Sequence, residues 1–284
     1  METVMTRMTK TARIAFVLVV LCASSPVQTQ SGDDFQQCEK AREFPERAIG
    51  GCTRIIDSDR LSGNNLAIAF HNRGIARTRM GEYDAAIADL DKAIRVNPQA
   101  ARAFTSRGIA WHAQGDYERA IADYDAAIRL DPRDVLAVNN RGLARYFQGR
   151  FALAARDFAQ ARQMGKPDAY VAIWSYLART RNAESVRSEL ERDVRELPGD
   201  AWPAPVLRAY LGQIDAEALL AASAHSDVKT QAEQRCEANY YLGQWYVIRG
   251  EQEPAVAHFR AAQNQCPRFF LEYAGATAEL RRLR

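Results

Sequence analysis

The sequence predicts an all-α fold in which helical hairpins stack side by side. Glycine recurs at intervals of 34 residues in two parallel series, and aromatic residues and alanines follow at the same interval. Small residues at fixed places let two helices approach closely, while aromatic side chains fill the space between them. Each hairpin must then bury its apolar side against a neighbour. The recurring positions are Gly74, Gly108 and Gly142; Gly81, Gly115 and Gly149; Tyr83, Tyr117 and Phe151; and Ala86, Ala120 and Ala154.

The period divides much of the chain into four clear units. The first three repeats are residues 67–100, 101–134 and 135–168, and the fourth is residues 236–269. This pattern resembles the tetratricopeptide repeat (TPR), a helix–turn–helix of 34 residues. The resemblance implies a right-handed α-solenoid, an elongated superhelix whose concave wall is formed mainly by the first helix of each repeat.

The remaining segments fit the same plan less regularly. Residues 31–66 have the pattern of a degenerate first hairpin, and residues 169–235 fit two degenerate hairpins. Apolar spacing within them predicts helices at 169–181, 184–197, 206–211 and 217–224, with Asp215 as a helix cap. Residues 270–284 are expected to form a capping helix over the last repeat, with a solvated Arg281–Arg284 end.

The N-terminal segment predicts export. Three basic residues precede an apolar run from Ile14 to Ala23, and small residues follow it. The run is shorter than the roughly 20 residues that a membrane-spanning helix needs, and the layout is that of a signal peptide. Residues 1–30 are therefore predicted to be a signal peptide, cut between Ala23 and Ser31. An uncleaved anchor is the alternative.

Cysteine usage agrees with an exported protein. Removal of the signal takes Cys22 away and leaves an even number of cysteines, which favours disulfides over free thiols. Zinc is the competing use, but no C-x-x-C pair is present. The repeat register places Cys236 and Cys266 at adjoining ends of one hairpin, and it predicts the pairs Cys38–Cys52 and Cys236–Cys266.

A charged pair recurs with the repeat. An arginine precedes the first glycine of each of the first three repeats, and an aspartate follows it 16 residues later. In the fourth repeat both charged residues are replaced, by Leu242 and His258. Because the two positions change together, the sequence favours an arginine–aspartate pair across each hairpin. A cradle for a polyanion is the alternative. The pairs are Arg73 with Asp89, Arg107 with Asp123, and Arg141 with Asp157.

The register also predicts a partner-binding groove on the first helices. Its mixture of apolar and polar residues suits an extended peptide or a helix. The TPR proteins that grip a chaperone C-terminus have Lys and Asn at places where this chain has Ile75, Ile109 and Leu143, so that activity is not predicted. The groove residues are His71, Ile75, Thr78, Arg102, Thr105, Ile109, His112, Asn139, Leu143 and Tyr146.

No catalytic motif accompanies this groove. The four histidines form no H-E-x-x-H site, and no G-x-S-x-G or P-loop motif occurs. A formal net charge of +3 over 284 residues gives no support for a nucleic-acid or anionic-membrane surface. The sequence therefore predicts a protein that is not an enzyme, with no cofactor, no catalytic or metal-binding residue, no nucleic-acid partner and no stable membrane insertion after signal removal.

Residues 170–280 resemble the NlpI-type bacterial periplasmic lipoproteins. The resembling stretches begin at Ile173, Arg208 and Glu237, with the sequences IWSYLA, RAYLG and EANYYLGQWY. The resemblance implies a dimeric envelope adaptor that brings peptidoglycan hydrolases to a protease. The sequence thus predicts an exported, periplasmic or secreted bacterial scaffold for a protein or peptide partner, with a homodimer left open. The alternative is a non-catalytic accessory subunit of a polysaccharide-export or wall-assembly complex.

Overall fold

The computed structural model describes residues 26–165, 168–197 and 199–284, and side chains from residue 32 onward. Within these ranges all regular secondary structure is helical, as the repeat pattern predicts. The helices are α1 (Pro26–Glu39), α2 (Pro45–Asp57), α3 (Gly63–Arg79), α4 (Tyr83–Val96), α5 (Ala101–Gln114), α6 (Tyr117–Leu130), α7 (Val135–Phe147), α8 (Phe151–Met164), α9 (Ala169–Arg181), α10 (Arg187–Glu196), α11 (Ala204–Leu211), α12 (Ala216–Ala222), α13 (Val228–Ile248), α14 (Gln252–Gln265) and α15 (Leu271–Arg282).

Close contact within each hairpin explains the recurring glycines. A Cβ placed on Gly108 would lie 2.6 Å from the Tyr124 ring, and one on Gly142 would lie 2.8 Å from the Phe158 ring. Both rings are fully buried between their two helices. The first helix of each repeat can therefore approach the second this closely only because it lacks a side chain at this position. The 34-residue period reflects this packing of glycine against an aromatic ring.

The predicted arginine–aspartate pairs are confirmed, and each arginine of the second and third repeats makes a further contact. Arg107 Nε and Nη2 donate to both carboxylate oxygens of Asp123, at 2.8 and 2.6 Å. Arg107 Nη1 also donates to Asp91 of the preceding repeat, at 2.6 Å. Arg141 bonds to Asp157 and reaches back to Asp125 in the same way. These side chains therefore join neighbouring hairpins as well as the two helices of one hairpin.

Both predicted disulfides are present. Cys38 is bonded to Cys52 with their Cα atoms 4.7 Å apart, and this bond joins α1 to α2. Cys236 is bonded to Cys266 with a Cα separation of 5.0 Å, and this bond joins α13 to the residue that follows α14. The terminal hairpins are thus cross-linked. Cys22 lies outside the described residues.

The degenerate middle of the chain forms the largest part of the core. Trp174 of α9 is almost fully buried, and its ring centre lies 5.2 Å from that of Tyr146 and 5.8 Å from that of Tyr240. Helix α9 has the predicted bounds, and Asp215 caps α12 by accepting a hydrogen bond of 2.8 Å from the backbone N–H of Ala218. The part of the chain without a clear repeat signature therefore packs into an aromatic core with the third and fourth repeats.

The segment that follows α14 also contacts the first repeat. The Tyr83 hydroxyl donates to the backbone carbonyl of Arg268 at 3.4 Å, and the Arg79 guanidinium lies 5.6 Å from the centre of the Phe269 ring. Helix α15 packs chiefly against α14 and α13, and it also touches α7. The end of the described chain therefore packs on its last hairpin and also contacts the turn ends of the first three hairpins.

Residues 1–25 of the predicted signal segment lie outside the described residues, and its residues 26–30 form the start of α1. In the described ranges, no helix combines the length and apolar character that a membrane crossing requires.

Candidate partner-binding groove

The ten predicted groove residues fall into two groups in the structure. Six retain solvent exposure and four are buried. The exposed or half-buried residues are His71, Ile75, Thr78, Arg102, Ile109 and Asn139, and the buried residues are Thr105, His112, Leu143 and Tyr146.

The buried four cannot line an open groove, because later parts of the chain cover them. Tyr146 and Leu143 belong to the main core, and the Tyr146 hydroxyl donates to Gln244 Oε1 of α13 at 2.8 Å. The His112 ring packs edge-on against Tyr117 and Phe147, with ring centres 5.1 and 5.2 Å away. The repeat register predicts that these side chains lie on the concave wall. It does not show which other parts of the chain pack against that wall.

His112 is also removed from solvent and uncharged. Burial lowers its pKa to about 4, so that the ring is neutral at physiological pH. Thr105, the remaining buried residue, donates its hydroxyl to Asp134 Oδ2 at 3.0 Å and thereby fixes the start of α7. Both residues serve packing rather than ligand contact.

The open part of the groove is a cleft of about 640 Å³ at the N-terminal ends of α3 and α5. The end of α6 forms its third side. The cleft contains two of the predicted residues, His71 and Arg102, together with residues that the sequence did not single out. These additional lining residues include Asn64, Ile68, Asn72, Gln99, Leu130 and Asp131.

The cleft combines apolar, amide and charged groups. Ile68 is 47% exposed although it is a large apolar residue. The amide side chains of Asn72 and Gln99 offer both donors and acceptors, which can bond to a peptide backbone. Arg102 is exposed and carries a positive charge, whereas Asp131 lies across the cleft from it on the segment after α6. An extended peptide with one apolar and one acidic side chain matches these groups.

His71 provides a fixed polar surface within the cleft. Its Nε2 shares a hydrogen bond of 2.9 Å with the hydroxyl of Ser106 on the next repeat. Burial lowers the pKa of His71 to about 4, and the bond to the neighbouring repeat holds the ring in place. The imidazole is therefore neutral at physiological pH and contributes a hydrogen-bonding edge without a charge.

One cleft residue that the sequence analysis did not predict, Ile68, carries a signal that the repeat register reveals. Ile68, Arg102 and Leu136 occupy the same register position, 34 residues apart. Leu136 is 46% exposed, close to the value for Ile68. A search for apolar residues at the register position of Arg102 would have found both, because a large apolar residue repeated at an exposed helical position marks a contact surface.

Helix α15 covers the C-terminal end of α7. Gly275 approaches Phe147 and Tyr240 so closely that an added Cβ would lie within 2.9 Å of both side chains. The predicted solvated end is also partly engaged, since Arg282 donates hydrogen bonds to the backbone carbonyls of Tyr146 and Phe147. The open groove is therefore shorter than the sequence predicts.

Two neighbouring acidic side chains, Glu237 and Glu272, lie against the aromatic core. Glu237 accepts hydrogen bonds from Trp202 Nε1 at 2.7 Å and from the Tyr170 hydroxyl at 2.9 Å. Glu272 is buried beside them, and burial raises its pKa to about 8. Among the residues that the structure describes, no group of three or more histidine, cysteine, aspartate or glutamate side chains could hold a metal ion.

Comparison with known proteins agrees with the observed architecture. A family model described as Tetratricopeptide repeat matches residues 71–135. A tetratricopeptide repeat protein from Parabacteroides merdae is 16% identical, over 88% of this chain and 98% of its own, with a TM-score of 0.60. The C-terminal part of a TPR repeat-containing protein from Cytophaga hutchinsonii is 18% identical, over 84% of this chain and 95% of its own, with a TM-score of 0.53.

A third solved structure, that of PilF from Pseudomonas aeruginosa, is 16% identical over 89% of this chain and 98% of its own, with a TM-score of 0.51. At these identities the likeness concerns the fold. Residues 71–135 therefore match the tetratricopeptide repeat family, and the described chain has the α-solenoid fold of proteins built from that repeat.

Proposed function

We propose that this protein is a non-catalytic scaffold that binds an extended peptide segment of a partner protein in the cleft between α3, α5 and α6. The observation that carries the proposal is the open cleft itself, in which exposed Ile68 and Arg102 lie beside uncharged amide groups. Recruitment needs only a preformed surface, because a rigid cleft limits the entropy lost on binding.

Each part of the cleft has a distinct role in the proposed contact. Ile68 anchors an apolar side chain, and Arg102 pairs with a carboxylate of the peptide. Asn72 and Gln99 bond to the peptide backbone between these two anchors. The hydrogen bond between His71 of α3 and Ser106 of α5 joins the two repeats directly, and Arg107 of α5 joins them again through Asp91 of α4, so that the anchors stay in register with the extended peptide.

We further propose that the protein is exported and acts in the bacterial cell envelope. Three features support this location: the signal-like segment at residues 1–30, the two disulfides, and the resemblance of residues 170–280 to NlpI-type lipoproteins. Disulfides persist in oxidising compartments. An envelope protease or a peptidoglycan hydrolase is the proposed client, and a fractionation of producing cells that leaves the processed chain in the cytoplasm would contradict this location.

The peptide-binding proposal is tested with a phage library of random 12-residue peptides selected on the purified chain. Selected peptides are then titrated against the wild type and against Ile68→Asp and Arg102→Glu. We expect each substitution to weaken binding at least tenfold, because it places a charge on an apolar anchor or reverses the charge that meets the peptide carboxylate.

Val228→Asp is the matched control. Val228 is a highly exposed apolar residue at the start of α13, where a negative charge is tolerated by the helix dipole. This variant should bind the selected peptides like the wild type. Failure to select any peptide, or equal binding by all four proteins, would refute the proposed function.

A further inference from the structure

A second cleft, of about 410 Å³, lies between the turn of the second repeat and helix α15, and it is open to solvent. It is bordered by the end of α5, the start of α6, the end of α7 and one face of α15. The cleft of the proposed peptide contact borders the start of α5, whereas the second cleft borders its end. A helix of 14 residues is about 20 Å long, so that the two clefts are separate sites.

The repeat register explains why a space is present here. Arg79, Ala113 and Phe147 occupy the same position in the first three repeats, 34 residues apart. Arg79 lies over the ring of Phe269, and Phe147 meets α15 at Gly275. Ala113 is the smallest of the three side chains and leaves the corresponding space of the second repeat open. The second cleft therefore follows from the sequence of the repeats.

Helix α15 presents small and polar side chains to the second cleft. Their spacing of three and four residues places them on one face of the helix. They are Ala274, Thr277, Ala278 and Arg281. Arg281 is exposed, and it is the one charged residue among those that line the second cleft.

Aromatic rings form the apolar part of the second cleft. The ring centres of Tyr117 and Phe147 lie 5.8 Å apart, and the buried His112 ring packs edge-on against both, at 5.1 and 5.2 Å. Tyr273 lines the cleft from α15. Aromatic rings attract one another in edge-on and offset arrangements. A ligand ring that enters between Tyr273 and the other two rings therefore meets a surface whose side chains are already held in place.

The polar groups of the second cleft favour an anion. Burial raises the pKa of Tyr117, and the positive charges of Arg282 and Arg281 oppose this rise, so that both guanidinium groups lie near the phenol. The hydroxyl is protonated at physiological pH and can donate a hydrogen bond. Arg282 is engaged by Glu279 and by a carbonyl group of α7, whereas Arg281 is exposed. A carboxylate can accept hydrogen bonds from both Arg281 and the Tyr117 hydroxyl.

We propose that the second cleft binds a small aromatic carboxylate, with its ring between Tyr273 and the Tyr117–Phe147 pair and its carboxylate on Arg281. The volume lies at the lower end of the range of about 300–1,000 Å³ for small-molecule sites, which favours a compact ligand. Among the described residues that line it, none is acidic, so that no lining charge repels the ligand. The two clefts share no lining residue, and this proposal does not depend on the peptide contact.

The test measures binding of para-fluorophenylpropanoate to the full-length protein by fluorine NMR relaxation of the ligand. The corresponding amide, para-fluorophenylpropanamide, has nearly the same shape without the charge. We expect saturable binding of the acid in the millimolar range and at least fivefold weaker binding of the amide, because the amide cannot pair with Arg281. Equal binding of the two compounds, or no saturable binding of the acid at about 10 mM, would overturn the proposal.

Three variants locate the binding. Arg281→Gln removes the positive charge and Ala278→Leu fills the space, and each should weaken binding of the acid at least fivefold. Arg260→Gln is the matched control, because Arg260 is also exposed but lies on α14 outside the second cleft. It should bind the acid like the wild type, and circular dichroism checks that each variant is folded. If either cleft variant binds the acid as tightly as Arg260→Gln does, the ligand lies elsewhere and the proposal is wrong.

Discussion

Arg107 and Arg141 occupy equivalent positions in adjacent repeats, yet their replacement by methionine should have unequal effects. The carboxylate of Asp123 is bonded only to Arg107 among the described side chains. The carboxylate of Asp157 is bonded to Arg141 and also to Arg145, the latter at 2.7 Å. The second repeat has Trp111 where the first and third have Arg77 and Arg145, and this difference removes the second cation.

The magnitude follows from the burial of the aspartates. The Asp123 side chain is 8% exposed and that of Asp157 is 3% exposed. Removing one partner of a buried ion pair costs about 3–5 kcal/mol, because an uncompensated charge stays inside. Arg107 is 21% exposed, so that we expect the lower end for Arg107→Met, about 3 kcal/mol. For Arg141→Met we expect about 1.5 kcal/mol, the contribution of a hydrogen bond to a charged group.

Urea denaturation followed by circular dichroism at pH 7, with the disulfides intact, measures both free energies of unfolding. A further variant, Arg107→Leu with Asp123→Leu, should recover most of the loss, since removing both charges leaves no buried ion. Equal losses for the two single variants, or a double variant as unstable as Arg107→Met, would refute the electrostatic reasoning.

Three further predictions concern packing, pH and the disulfides. Gly243→Ala should lower the free energy of unfolding by about 2 kcal/mol in urea denaturation, because its Cβ would lie 2.5 Å from the Phe259 ring. Gly32→Ala, with nothing within 4 Å of the added Cβ, should raise the free energy of unfolding by up to about 1 kcal/mol, because alanine favours a helix more than glycine does. The raised pKa of Glu272, about 8 against an ordinary 4.5, means that the contribution of this group to stability is fully present below pH 4.5 and is lost as pH rises to 8, since the folded state holds the proton that the unfolded state releases. Glu272→Gln should reduce this fall in denaturation curves between pH 5 and 9, a range that brackets the pKa of about 8, and an unchanged pH dependence would contradict it. Replacing Cys236 and Cys266 by serine should lower the free energy of unfolding by about 3 kcal/mol. It should also increase proteolysis at residues 266–270 under limited trypsin digestion. An unchanged digestion pattern would show that the disulfide does not restrain this segment.

Much of the fold could be predicted because the 34-residue period records contacts within one hairpin. Gly108 and Tyr124 are neighbours in space and recur together, so that the sequence alone reveals their packing. The same holds for Arg107 and Asp123. The additional bond from Arg107 to Asp91 was missed because it joins two repeats, although Asp91 and Asp125 show the same period.

The groove was predicted less well because its shape depends on contacts between distant parts of the chain. Tyr146 has the register of a groove residue, but Gln244, 98 positions later, accepts its hydrogen bond and buries it. The contact of α15 with α7 involves Gly275 and Arg282, neither of which belongs to a repeat. Ile68 and Leu136 were recoverable, since they repeat at the position of Arg102.

The central claim is that a partner peptide binds in the cleft at the N-terminal ends of α3 and α5. Chemical-shift mapping of the isotope-labelled full-length protein, titrated with a library-selected peptide, tests it most directly. The account predicts shifts centred on Ile68, His71 and Arg102, with α8 and α14 unaffected. Shifts centred on α8 or α14, with the resonances of Ile68 and Arg102 unchanged, would contradict it.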